Sequence, residues 1–235
     1  MNKIVVLIPS LNPNEDFYEY SKKLLDNENV ELIVVDDGSK DELKYIFNKI
    51  KSLKNAHVIT HEHNKGKGAA LKTGFKYFLD NFKDSKGIVT ADSDGQHTIK
   101  DVISIGKELN ELDSKSLILG TRNFNLKQVP FKSRNGNKIT TFMFKRLYGK
   151  KINDTQTGLR GLTKDFVKDS INFTGEKFDY EIVMLIEAVL NKINIIEHEI
   201  ETVYFNNNSE THFNPIKDSY KIYKIMFNYK KKRNE

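Results

Sequence analysis

Ile4-Val5-Val6-Leu7-Ile8 is apolar at every position, and Leu32-Ile33-Val34-Val35 repeats the pattern. Successive strand side chains point to opposite faces. Such runs therefore need cover on both sides, as in a parallel sheet held between helices. Segments of helical period separate the apolar runs. The spacing predicts strands at 4–8, 30–35, 56–60, 87–90 and 116–120, alternating with helices at 15–25, 41–52, 68–82 and 99–112. This order predicts a single α/β domain with a doubly wound, mostly parallel sheet and helices on both faces. The chain's 235 residues suit one well-cored domain of this kind. No internal linker divides it, so the expected units are a domain over 1–215 and a tail over 216–235.

Open α/β sheets bind ligands at the carboxyl ends of their strands. The run Gly87–Thr90 ends there in A-D-S-D-G-Q-H, residues 91–97, where Asp92 and Asp94 are spaced to point the same way. Two carboxylates so close repel unless a cation lies between them, and an oxygen set completed by water and phosphate suits Mg²⁺ or Mn²⁺. The alternative is a capped turn, with both aspartates accepting backbone N–H groups ahead of a helix. An EF-hand is excluded, because glycine comes fourth in the loop and the twelfth position is Ile103. Zinc is not expected: the chain has no cysteine, and His61-Glu62-His63 lacks helical ligand spacing. The missing cysteines also exclude a disulfide scaffold.

The turn Pro9-Ser10-Leu11-Asn12-Pro13-Asn14 contains no glycine, so no dinucleotide fingerprint follows the first strand, and Gly66-Lys67 is not part of a P-loop. Phosphate binding falls instead to the metal and to other devices. Asp36-Asp37-Gly38-Ser39 ends the second strand, where a carboxylate can accept from a base N–H or a ribose hydroxyl. Ser39 is alternatively a cap for the following helix. The glycines of Asn64-Lys65-Gly66-Lys67-Gly68 allow close backbone approach, and Lys65 and Lys67 suit a diphosphate.

V-V-L-I-P-S-L-N, V-V-D-D-G-S, N-K-G-K-G-A-A-L-K-T-G-F, A-D-S-D-G-Q-H, S-R-N-G-N-K and D-T-Q-T-G-L-R-G occur in this order, followed by K-F-D-Y-E, E-I-E-T-V-Y-F and S-E-T-H-F-N-P-I-K-D-S. Over nearly its whole length the chain thus resembles family-two glycosyltransferases of the dolichyl-phosphate mannosyltransferase and polyprenyl-phosphate glucosyltransferase type. The resemblance implies a GT-A fold. It implies that Pro9 and Asp37 meet base and ribose, and that Asp92, Asp94 and Gln96 hold a divalent metal against the donor diphosphate. By the same resemblance Arg134 and Arg160 stand near the transferred and acceptor phosphates, and Asp154 is the acceptor-side acid. One departure displaces a nucleotide contact: the family commonly reads P-x-x-N-E after the first strand, whereas Asn12 precedes Pro13 here and Glu15 arrives two residues late.

Residues 121–132 read as a long loop over a site, flanked by Arg122 and Arg134, which suit phosphate or surface ion pairs. Helices follow at 133–148 and 178–190, the latter with Ile182, Leu185, Ile186 and Val189 at core spacing, and a strand at 193–200. Five of the six net positive charges fall in 216–235, which leaves the body near neutral and argues against a nucleic-acid partner. On a helical wheel Ile216, Tyr220, Ile222, Tyr223, Met226, Phe227 and Tyr229 share a broad face beside lysines. That face suits either an anionic membrane surface or packing on the body. The expected location is cytoplasmic, either soluble or peripheral on the cytoplasmic face of the membrane. No run reaches a membrane span, and Met1-Asn2-Lys3 leads straight into the apolar run 4–8, which is too short for a signal-peptide core.

The expected activity is inverting, metal-dependent transfer of a hexose from a nucleotide diphosphate sugar (GDP-mannose or UDP-glucose type) to a polyprenyl phosphate. A hydroxyl of a cell-surface glycan or polymer is the alternative acceptor. A sugar-nucleotide pyrophosphorylase is disfavoured by the missing glycine-rich first loop, and a non-catalytic nucleotide-sugar binder is disfavoured by the intact Asp92 and Asp94.

Overall fold

A computed structural model describes residues 3–27, 29–124, 131–201 and 215–234, with the backbone alone at 131–135, 215–221 and 232–234. The strands are β1 (Ile4–Ser10), β2 (Val30–Asp36), β3 (Ala56–Thr60), β4 (Gly87–Thr90), β5 (Ser116–Arg122), β6 (Arg160–Thr163) and β7 (Asn194–Ile200). The helices are α1 (Asp16–Leu25), α2 (Lys44–Lys51), α3 (Lys67–Asn81), α4 (Ile99–Glu111), α5 (Phe131–Tyr148), α6 (Lys164–Ser170), α7 (Asp179–Leu190) and α8 (Pro215–Asn234).

One seven-stranded sheet runs β3-β2-β1-β4-β6-β5-β7, and β6 is antiparallel to both its neighbours while the other pairings are parallel. The unbroken apolar runs divide by parity, as two-faced cover requires. Val5, Leu7, Ile33 and Val35 join a core with α3, α5, α6, α7 and α8. Ile4, Val6, Ile8, Leu32 and Val34 join a second core with α1, α2 and α4. Each such side chain, fully buried, contributes about 1.5–3 kcal/mol by removal from water.

The helix expected at 41–52 opens as a 3₁₀ turn at Asp41–Leu43 before α2. Ser39 does not cap it; its hydroxyl accepts the Asn12 N–H at 2.9 Å and ties the β1 turn to the β2 turn. The loop expected at 121–132 is shorter, since Thr121 and Arg122 finish β5 and Phe131 opens α5; its middle, 125–130, lies outside the described residues. Two elements were not expected. β6 is four residues long and reads R-G-L-T, without apolar alternation, and α6 follows it directly.

α8 packs on α5 and α7. Ile222 and Met226 are buried, Tyr148 donates to the Met226 carbonyl at 2.6 Å, and the Tyr229 hydroxyl lies 2.9 Å from that of Thr174. The described part of the tail's apolar face is thus largely taken up by the body, while Phe227 stays exposed. The side chains of Ile216 and Tyr220 lie outside the described residues.

Candidate active site

Parallel β1, β2 and β4 and antiparallel β6 bring four chain segments to one sheet edge. Ser10 pairs in register with Asp36, and Thr90 with Arg160. The residue after β4 is Ala91, and Asp92 then faces a cation supplied by α3: Lys67 Nζ lies 2.7 Å from Asp92 Oδ1 and 3.1 Å from Glu181 Oε2 at the start of α7. His97 Nε2 stands 3.3 Å from the other Asp92 oxygen, and Tyr20 donates to the His97 carbonyl at 2.8 Å. Phe178 is exposed beside this cluster, its ring centre 5.9 Å from Lys67 Nζ.

The two aspartates of the D-S-D pattern differ in surroundings. Burial alone would raise Asp92, but the Lys67 ammonium and His97 hold its carboxyl far below the usual range. Asp94 is more exposed and shifts the other way, raised by partial desolvation and then by the Asp92 charge. Burial would lower Lys67, yet Asp92 and Glu181 outweigh it and keep it charged. The capped-turn alternative describes Asp94 in part, since its Oδ1 accepts the Gln96 N–H at 3.0 Å. It does not describe Asp92, and Thr98 is the residue that caps α4.

A hard divalent cation fits this pair. Such an ion offsets the desolvation and, after it, the Asp92 charge that raise Asp94, and two carboxylates leave positions for phosphate oxygens and water. Among the described residues no cluster of three or more His, Cys, Asp or Glu is poised to hold a metal by itself, so the remaining ligands would come from the donor. Glycine is required close by: a Cβ on Gly158 would stand 2.3 Å from Asp92 Oδ2.

Asp37 is buried with both oxygens engaged: Oδ1 meets His61 Nδ1 at 2.7 Å and accepts the Lys65 N–H, and Oδ2 accepts the Gly66 N–H. It shapes the turn ahead of Lys67, where Gly66 has φ 103°. Asp36 uses one oxygen on the Ser39 N–H, while its Oδ2 and the hydroxyl of Ser10 are buried without a partner. Pro9 lies in β1, in register with Val35. The displaced Glu15 points away to accept from Tyr45 at 2.6 Å.

Asp154 is fully buried and held by Arg122, whose Nε and Nη2 donate at 2.7 and 3.1 Å to its two oxygens; the backbone N–H groups of Gln156 and Arg122 also donate to it. Arg160 is also buried. Its Nε and Nη1 donate to the carbonyls of Thr157 and Glu181, Nη2 has no partner, and desolvation pushes its pKa down. It does not present its guanidinium at the surface as a direct phosphate contact would require. Arg134 lies on α5 with its side chain outside the described residues, and Gln96 is half-buried beside Asp94. The sequence did not single out Glu181, His97 or Tyr20; K-F-D-Y-E was the nearest signal, and it carries no spacing relation to Lys67.

The sequence matches the glycosyl transferase family 2 model over residues 5–170. It is 31% identical over 218 residues, 86% of each chain, to a UDP-N-acetylglucosamine–dolichyl-phosphate N-acetylglucosaminyltransferase of Methanococcus voltae. It is 29% identical over 188 residues to the human dolichyl-phosphate beta-glucosyltransferase, covering 71% of this chain and 54% of that one. In fold it is similar to glucosyl-3-phosphoglycerate synthase from Mycobacterium tuberculosis, crystallised with Mn²⁺ and UDP, with a TM-score of 0.69, 16% identity, and coverage of 97% of this chain and 78% of that chain. The sheet order, the D-S-D pair at its carboxyl edge and these likenesses together mean that the chain belongs to glycosyl transferase family 2, has the GT-A fold and is a glycosyltransferase.

Proposed function

We propose that this enzyme transfers a hexose or N-acetylhexosamine, with inversion, from a nucleotide diphosphate sugar to a polyprenyl phosphate at the cytoplasmic face of a membrane. The observation that carries the choice of acceptor is the state of Asp154. A hydroxyl acceptor needs a base to take its proton, but Asp154 is buried and locked on Arg122, and Glu181 is engaged by Lys67. A phosphate monoester, with a second pKa near ~6, is already an anion at neutral pH and needs no base. The activities in the names of the archaeal and human relatives support the same acceptor.

In this reading Asp36 and Asp37 frame the nucleoside, Asp37 through the turn it holds, and Pro9 lies beside them. Asp92, Asp94 and Gln96 would hold Mg²⁺ or Mn²⁺, which when bound would neutralise charge on the departing diphosphate. Lys67 stands beside Asp92 to meet a phosphate oxygen once the donor loads. Arg122, aligned by Asp154, and Arg134 attract the acceptor phosphate; buried Arg160 supports the site from beneath. An acceptor phosphate oxygen attacks the anomeric carbon from the face opposite the diphosphate. The C–O bond to the nucleotide breaks as the new one forms, and the electron pair leaves with the nucleoside diphosphate.

The test is incubation of purified protein with labelled GDP-mannose, UDP-glucose or UDP-N-acetylglucosamine, a polyprenyl phosphate and Mn²⁺ or Mg²⁺. One donor is expected to yield organic-soluble product. Asp94→Asn is expected to abolish transfer and metal-dependent nucleotide binding while leaving the fold intact. Full activity in excess chelator overturns the metal role, and transfer to a soluble glycan with none to polyprenyl phosphate reverses the acceptor.

A further inference from the structure

The positive charge of this protein is concentrated more sharply than its net value suggests. Residues 131–151 and 216–235 hold fourteen of the thirty-eight basic residues and two of the thirty-two acidic ones, so the remaining chain is six charges negative. No acid occurs anywhere in 131–151. The two segments are joined in space, because α8 packs on α5, with Thr140 Oγ1 3.3 Å from the Tyr223 hydroxyl and Tyr148 bonded to Met226.

The same helices expose large apolar side chains. Among the described residues Phe142 is 66% and Ile139 54% exposed, three apart on the outer face of α5, and Phe227 is 49% exposed on α8. The inner face of α5, Asn137, Thr140 and Phe144, is buried. Exposed Lys138, Lys145 and Arg146 surround the outer pair. A solvated basic helix has no use for an exposed Phe and Ile at one spacing. A phosphodiester backbone offers such side chains no apolar contact. The boundary of an anionic bilayer meets both needs, taking rings and aliphatic groups at headgroup depth and attracting each basic residue.

We infer that the outer face of α5, flanked by α8, docks this enzyme on an anionic lipid surface, with Ile139 and Phe142 inserted and Lys138, Lys145 and Arg146 against the headgroups. The described apolar core of α8, Ile222 and Met226, cannot do this, since it is buried in the body. The purpose of docking rests on the lipid-phosphate reading. The connection to the site is direct: Asn137 donates to the Asn153 carbonyl at 2.6 Å, which ties α5 to the loop carrying Asp154.

The chain contains no tryptophan, so a single one reports its own surroundings. Phe142→Trp is compared with Tyr45→Trp, an exposed position next to α1, in vesicles of phosphatidylcholine with and without phosphatidylglycerol. The expected result is a blue shift for the first variant alone, with anionic vesicles alone, weakening as salt rises. Replacing Lys138, Lys145 and Arg146 together by Gln is expected to lower vesicle affinity roughly 100-fold. Ile139→Ser with Phe142→Ser is expected to lose vesicle binding yet keep turnover of a short, water-soluble polyprenyl phosphate.

Absence of the shift, an equal shift with neutral vesicles, reversal of the shift by duplex DNA, or a concentration-dependent shift without lipid each overturns the inference, the last two in favour of nucleic acid or a second copy. Vesicle binding that survives Ile139→Ser with Phe142→Ser, or no vesicle binding by the unsubstituted protein while it turns over a short-chain acceptor, sinks the surface and leaves the proposed reaction standing. No turnover with any acceptor, while the shift persists, does the reverse.

Discussion

Asp154 shows how a residue's chemical type and its role separate. The resemblance implies an acceptor-side role for it, which would make it the candidate base for a hydroxyl acceptor; in the fold it is buried, with its oxygens bonded by Arg122 and Gln156. Asp154→Asn is therefore expected to slow transfer by releasing Arg122, without steepening the rate's dependence on pH between about 6 and 8, the range above the acceptor's own ionisation. A loss of ~10² to 10⁴-fold that grows as the pH falls would mark it as a base after all. The variant is also expected to lower the melting temperature, because breaking a charge-assisted pair on one side costs about 1–3 kcal/mol. The aspartates of the D-S-D pattern carry opposite signs in acid. Asp92, depressed by Lys67 and His97, stabilises the fold above the ordinary carboxylate range near ~4, and that stability is lost as pH falls through its lowered value. Asp94, raised by desolvation and by Asp92, is favoured while protonated and loses that advantage as pH rises through its raised value.

At the scale of elements, β6 departs from its sequence, and α8 takes one of the two roles its sequence allows. R-G-L-T is too short and too polar to announce a central strand, yet its position between β4 and β5 buries it and carries Arg160 and the Gly158 turn to Asp92. Its strand character is imposed by neighbours that supply hydrogen bonds on both sides. α8 carries an apolar face that by sequence suits either a membrane or the body, and the body takes the described part: Met226 is fully buried and its carbonyl accepts from Tyr148. Met226→Ala is accordingly expected to cost about 2–5 kcal/mol in urea or thermal unfolding. A stability unchanged by that substitution would return α8 to the role of a free tail.

For the molecule as a whole, one edge of one sheet collects residues from five separate stretches: Asp36–Asp37, Lys67, Asp92–Asp94, Asp154–Arg160 and Glu181. A donor bound by this edge would need all of them in register, so binding is expected to stabilise the entire fold. A nucleotide diphosphate sugar with Mn²⁺ at 100 times its Kd adds about 2.7 kcal/mol, roughly 5–10 °C in melting temperature for a chain of this size. A panel of GDP and UDP sugars, each with and without Mn²⁺, measures it, and no shift from any of them would remove the donor site from this edge. The sequence by itself determined the two-faced strands, hence the mostly parallel sheet, the edge where sheets of this kind take ligands and the D-S-D pair placed there, because these depend on residue order within single elements. Ordered motifs along the chain carried the family. Tertiary structure alone decided that Lys67 bridges Asp92 to Glu181, that Asp37 is spent on its own turn, that Asp154 and Arg160 are buried, and that α5 rather than the packed face of α8 is left exposed. Each of these is a contact between segments far apart in sequence, set by which faces the sheet and its helices must bury, and no local pattern records it.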